Sequence, residues 1–117
     1  MAARDFVKLA AFNTLNDGIV GSWSGLLNGD TAKPLEVPLY ADKSVSVEGT
    51  LGPATVTIQG SIDGTNYYTL NDPQGNALTF TTATKRLEAV LENVAYIRAL
   101  LSGADGTTNA QVNLIAR

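Results

Sequence analysis

Hydrophobic and polar residues alternate most clearly between Ser44 and Ile62. There Val45 and Val47, then Val56, Ile58 and Ile62, are separated by Ser44, Ser46, Glu48, Thr55, Thr57 and Gln59. A period of two sends successive side chains to opposite faces of a strand. The stretch therefore predicts two antiparallel strands, with Gly49-Thr50-Leu51-Gly52-Pro53 as the loop between them. Asp63-Gly64 marks a turn, Asn66 to Leu70 a further strand, and Asn71-Asp72-Pro73-Gln74-Gly75-Asn76 a second turn. Leu78 and Phe80 alternate with Thr79 and Thr81 in a short strand whose apolar side joins the same core. After the turn Gly103-Ala104-Asp105-Gly106, Ala110, Val112, Leu114 and Ala116 share one face of a closing strand.

Two regions depart from this rhythm. Between Thr84 and Ser102, Leu87, Val90, Leu91, Val94, Ile97 and Leu101 fit the stripe of an amphipathic helix, with Thr84 placed to cap it and Gly103 to stop it. The same residues also divide into Leu87-Ala89-Leu91 and Tyr96 to Leu101 around a turn at Glu92-Asn93, and the pattern alone leaves both readings open. In the first 40 residues, short apolar patches are broken by Asn16-Asp17-Gly18, Gly21, Gly25, Asn28-Gly29-Asp30, Pro34 and Pro38. Residues 1–20 are expected to form an extended arm lying on the body or on a neighbour, and residues 21–117 a sandwich domain. Trp23 is expected to anchor the arm, since an indole buries a large apolar area.

Composition fixes the class. Thirteen threonines and fourteen valines plus isoleucines, set among eleven glycines and four prolines, favour strands broken by turns, so the chain reads as all-β. A length of 117 residues suits one domain with a radius of gyration of about 13 Å. The 16% of charged residues is too low for disorder driven by charge. A net charge of -3 offers no electrostatic grip on phosphate backbones, so no nucleic-acid partner is expected. Asp5 and Lys8 interrupt the N-terminus before any apolar run of signal length, and no stretch approaches the ~18 apolar residues of a membrane span. Neither a membrane partner nor export by a cleaved signal is expected.

The chain has no Cys and no His, which removes the thiol and imidazole groups of much enzyme and metal chemistry. Carboxylates are what remains for acid–base work, as in glycoside hydrolysis. Yet Asp17, Asp63 and Asp105 precede Gly, Asp30 follows Asn28-Gly29, and Asp72 precedes Pro73, all positions that turn chemistry favours. Glu88 and Glu92 read as solvated strand or turn residues. No segment matches an acidic calcium loop, a P-loop or a dinucleotide fingerprint. No catalytic residue, cofactor or metal is therefore expected. Trp23, Tyr40, Tyr67, Tyr68 and Tyr96 raise the alternative of an aromatic sugar platform, but adjacent Tyr67 and Tyr68 point to opposite faces of a strand and offer one ring per face. Arg98, inside an apolar run, reads as an ion pair at a strand edge or as a contact to a partner subunit.

The phrase VSVEGTLGPATVTIQGSIDGTNYYTLNDPQGNALTF, followed by AYIRALLSGADGTTNAQVNLIAR, resembles the head-decoration, or cement, proteins of tailed double-stranded DNA bacteriophages. The matching elements are Gly21-Ser22-Trp23, the Val45–Thr50 strand, Gly60 to Tyr67, the turn from Asp72 to Gly75, Tyr96-Ile97-Arg98 and the closing stretch to Arg117. The resemblance covers residues 21–117 and favours two strands over a helix for 84–102. It implies a jelly-roll-like antiparallel β-sandwich that binds the major capsid protein as a dimer or trimer. It also implies a place on the outer surface of the virion capsid, after synthesis in the bacterial host cytoplasm. For that role Phe6, Val7, Leu9, Phe12 and Leu15 of the arm, with Trp23, Tyr68 and Arg98, are the candidate capsid or subunit contacts. The alternative is a carbohydrate-binding or adhesion module of a phage tail or neck.

Overall fold

The computed structural model describes residues 2–8 and 18–117. In chain order the strands are β1 (Ala3–Arg4), β2 (Val7–Lys8), β3 (Ile19–Leu26), β4 (Thr31–Ala32), β5 (Leu35–Glu36) and β6 (Lys43–Thr50). They continue with β7 (Thr55–Ser61), β8 (Tyr68–Thr69), β9 (Thr79–Phe80), β10 (Leu87–Val90), β11 (Tyr96–Ser102) and β12 (Asn109–Ala116). No helix occurs among the described residues. Residues 84–102 are thus two strands, and the helical stripe there is a coincidence of two short alternations.

One sheet runs β10-β6-β12-β3-β2 and the other β5-β11-β7-β8, with β9 also paired to β7. Both are antiparallel throughout. Their inward residues meet in one core: Trp23, Val45, Val47, Val112 and Leu114 from the first sheet pack with Val56, Ile58, Phe80, Ile97 and Ala99 from the second. The result is an all-β sandwich with a radius of gyration of 13.3 Å. The alternations anticipated for β6, β7, β9 and β12 place their apolar faces in this core, with Ile62 the exception.

Three local features were not anticipated. First, β6 and β7 do not pair; the chain between them crosses from one sheet to the other. Leu51 is buried in that crossing, and its carbonyl accepts hydrogen bonds from Ala54 N at 3.0 Å and Thr108 Oγ1 at 3.0 Å. Second, β3 carries a bulge: Ala110 and Val112 of β12 face Leu26 and Trp23, so β3 spends one extra residue. Gly25 takes a left-handed φ of 65° there, which lets Trp23 and Leu26 both face inward although an unbroken alternation would separate them. Third, Ile62 lies outside the core because β7 ends at Ser61 and the chain turns away.

The N-terminal segment lies on its own body. Ala3 and Arg4 pair in parallel with Thr31 and Ala32, and Val7 and Lys8 pair antiparallel with Ser22 and Gly21. Ile19 and Val20 belong to β3, where they face Ala116 and Ile115 of β12.

Candidate functional site

Of the eight anticipated contact residues, Leu9, Phe12 and Leu15 lie outside the described residues. Of the other five, Phe6, Val7 and Trp23 lie together, while Tyr68 and Arg98 belong to the other sheet. Phe6 is half-buried and stands edge-on to Trp23, with ring centroids 5.0 Å apart and planes at 71°. Trp23 is wholly buried, and its Nε1 donates to the Lys33 carbonyl at 2.8 Å. It therefore has no exposed surface to offer a partner and acts as the seat on which the chain's own N-terminal segment rests. Val7, next to Phe6, is 60% exposed.

Among the described residues, Arg98 does not make the ion pair anticipated for it. Its guanidinium lies 3.8 Å from the centroid of the Tyr67 ring, and its Nε donates to Gln59 Oε1 at 3.0 Å. Gln59 is the residue directly opposite on β7, so the sheet register itself delivers this partner. The ion pairs among the described residues are Arg4–Asp30, Lys33–Asp5 and Arg86–Glu88. Arg98 is held instead by a stacked ring and a neutral amide.

Asp30, Asp63, Asp72 and Asp105 are structural ties, as their turn positions suggested. Asp63 Oδ1 accepts from Ser61 Oγ, Thr65 N and Asn66 N, and its Oδ2 accepts from Asn66 Nδ2. The amides of Asn66 and Thr65 hold its carboxyl well below the usual carboxylate range. Asp72 accepts from Asn76 N and Gln74 N, and Asp105 from the hydroxyl and amide of Thr107, so both titrate below the ordinary value. Asp30 binds the N-terminal segment to the body. It accepts from Leu27 N, Ala2 N and Arg4 Nε, and these bonds, led by the Leu27 amide, lower its pKa to about 2. Glu92 was read as solvated but is half-buried and accepts from both the amide and the side chain of Asn71 at 2.8 and 2.7 Å. Burial pushes its pKa up, yet these bonds outweigh that and leave it below the ordinary value. Asp17 lies outside the described residues.

Several clefts open on the surface of the described residues. One, of about 530 Å³, is lined by Lys43, Asp42, Leu91, Ile115 and Arg117 among others. Lys43 is 3% exposed, and its Nζ donates to the carbonyls of Tyr40 at 3.2 Å and Ala41 at 3.4 Å. Burial lowers its pKa, and nearby Asp42 opposes that shift.

Two further clefts lie side by side at one end of the sandwich. One, of about 390 Å³, is lined by Ile62, Asp63, Asn66, Tyr68, Glu92, Asn93 and Val94. The second, of about 380 Å³, is lined by Pro38, Leu39, Tyr40, Ile62, Asn93 and Val94. Leu39, Ile62 and Tyr68 are 86%, 80% and 71% exposed, the most exposed large apolar side chains among the described residues. Tyr68 was anticipated as a contact residue; Leu39 and Ile62 were not. Leu39 follows Pro38 in a turn and Ile62 was assigned to the core by parity, so neither carried an exposure signal in the sequence.

No two rings stack in one plane among the described residues: the ring pair they form, Phe6 with Trp23, is edge-on, Trp23 is inside, and Tyr67 is covered on one face by Arg98. No group of three or more acidic side chains placed to hold a metal ion occurs among the described residues, nor does any helix long and apolar enough to cross a membrane. In comparisons with family models, with curated proteins and with solved structures, nothing matches the chain.

Proposed function

We propose that the chain is a structural protein of a phage virion, without enzymatic activity, that binds the outside of an assembled capsid and stabilises the shell of major capsid protein. The observation that carries this reading is the strand order. Take β3, β5, β6, β7, β8, β10, β11 and β12 as strands one to eight. The sheets then run one-eight-three-six and two-seven-four-five. That order supports a jelly-roll reading, a double-sheet architecture frequent in viral capsid and lectin domains. Fold-level analogy alone does not assign a function, so the reading also draws on the likeness of residues 21–117 to the decoration-protein phrase.

The physical demands of the role suit the molecule. A clamp needs a stiff body, and here Asp30, Asp63, Asp72 and Asp105 hold turns through hydrogen bonds to backbone amides. It also needs contacts that repeat: copies arranged around a symmetry axis gain effective concentration, so a modest contact holds firmly when several act together. Heads assembled without the protein and then heated in its presence test the reading. The temperature at which they release their DNA should rise with added protein until the sites fill, and a release temperature independent of the protein refutes the role.

The carbohydrate-binding alternative draws on one observation, the exposed Tyr68 ring beside Glu92 and Asn93. It lacks the shared ring plane that a sugar platform requires.

A further inference from the structure

We propose that the end of the sandwich bearing Leu39, Ile62 and Tyr68 is a docking surface for an apolar loop of another protein that carries Lys or Arg. That this other protein is a capsid subunit rests on the reading above; the chemistry of the contact does not.

Single exposed apolar residues are ordinary on soluble proteins, whereas a contiguous group marks an interaction surface. Here the group is contiguous. Leu39 and Ile62 border one cleft, Ile62 and Tyr68 border the other, and Asn93 and Val94 form a wall common to both. Ile62 is thus a ridge between two hollows, each of a size to receive an aliphatic side chain.

The ridge is also held rigidly. Ser61 and Asp63, on either side of Ile62, are joined by a 2.9 Å hydrogen bond, and Gly64 N donates to Ser61 Oγ at 2.8 Å. Across the cleft, the two bonds from Asn71 fix Glu92. A turn that spends so many hydrogen bonds to keep an isoleucine in water presents a preorganised contact, which lowers the entropy lost on association.

Charge selects the occupant. Asp63 and Glu92 line the Tyr68 cleft, and no Lys or Arg lines either hollow. Both carboxylates are kept ionised by the hydrogen bonds they accept. A second copy of this chain, meeting the surface face to face, would bring each pair of carboxylates against its counterpart, and like charges in register are unfavourable. A loop with apolar side chains for the hollows and a cationic one for the carboxylates satisfies both features.

Amide NMR spectra of the full-length chain provide the test, with acetyl-Leu-Arg-Leu-amide and acetyl-Leu-Glu-Leu-amide as probes and maltotriose as the sugar control. The Arg peptide should shift the amides of Ile62, Asp63, Tyr68 and Glu92 to Val94, with an affinity at least fivefold above that of the Glu peptide. The Leu39→Ser/Ile62→Ser variant should keep its melting temperature, because both side chains are exposed, and lose the response. Equal responses to the two peptides, no response at these amides, or the same shifts with maltotriose would overturn the proposal. So would self-association of the wild type that Ile62→Ser abolishes. Shells bound by the double variant with undiminished affinity also overturn it while leaving the capsid reading intact. Binding of the Arg peptide by a wild type that ignores shells does the reverse.

Discussion

Phe6 stands edge-on to Trp23 at 5.0 Å, the contact that seats the N-terminal segment on the sandwich. Its partner ring lies on β3, wholly buried beside β12, so the segment is tied directly to the core. An aromatic pair of this kind contributes about 0.5–1.5 kcal/mol beyond the area it buries. Phe6→Leu, which keeps an apolar side chain and removes the ring, should therefore lower unfolding stability by about that amount. Urea titration checks it, and an unchanged midpoint contradicts the assigned role.

Gly21 tests the same segment from the other side. A Cβ at this position would stand 2.7 Å from Phe6 Cε1 and 2.9 Å from Lys8 Cα, too close for the main chain of β2 to remain paired. Gly21→Ala should cost about 1–3 kcal/mol, as overpacking does. It should also free residues 2–8 to limited proteolysis and red-shift Trp23 fluorescence. A variant with wild-type cleavage rates would show that β2 is not held as described.

Acid should loosen that segment. Asp30 has a folded pKa of about 2 against an ordinary value of 3.8, because the Leu27 and Ala2 amides and Arg4 favour its ionised form. A depressed folded pKa gives stability that is complete above the unfolded value and is lost as pH falls through the folded one. Asp63, Asp72, Glu92 and Asp105 shift in the same direction. Stability should hold level from pH 8 to 6, where the chain has no histidine to titrate, and decline below about pH 4. Asp30→Asn should be less stable than wild type at pH 7, with the difference closing as pH approaches 2. A difference that stays constant from pH 7 to 2 would contradict this assignment.

Arg98 gives a prediction about geometry rather than charge. Its planar guanidinium both covers Tyr67 and donates to Gln59, a combination that an ammonium cannot reproduce. Arg98→Lys should cost about 0.5–1 kcal/mol in spite of the retained charge. A double-mutant cycle with Tyr67→Leu should show coupling between the two sites, and strict additivity would rule the stack out.

The strands that could be read from the sequence are those long enough to repeat their alternation. Val45 and Val47, Val56 and Ile58, and Ala110 to Ala116 each announce one inward face, and each is buried. Strands of two residues, such as β1, β4 and β5, hold no period to read. The crossing at Leu51 was missed because a loop between two alternating runs looks the same whether the runs pair or belong to opposite sheets. Ile62 was misplaced because parity was extended one step past Ser61, where the Asp63 hydrogen bonds, not the pleat, set the chain's direction. The partners of Arg98 come from other segments, Gln59 through the register of β11 with β7 and Tyr67 through the turn that precedes β8, and nothing local to Arg98 marks either. The exposed end at Leu39, Ile62 and Tyr68 was half visible for a related reason. Tyr68 stood out as an aromatic residue, whereas Leu39 and Ile62 become a surface with it only once the β5–β6 and β7–β8 connections are brought together.

Co-sedimentation with expanded, DNA-free capsids assembled without this protein tests the capsid reading most directly. The account predicts that purified protein pellets with the shells and saturates at a fixed number of copies per shell subunit. Protein that stays in the supernatant, at concentrations well above those of the shell subunits, would contradict it.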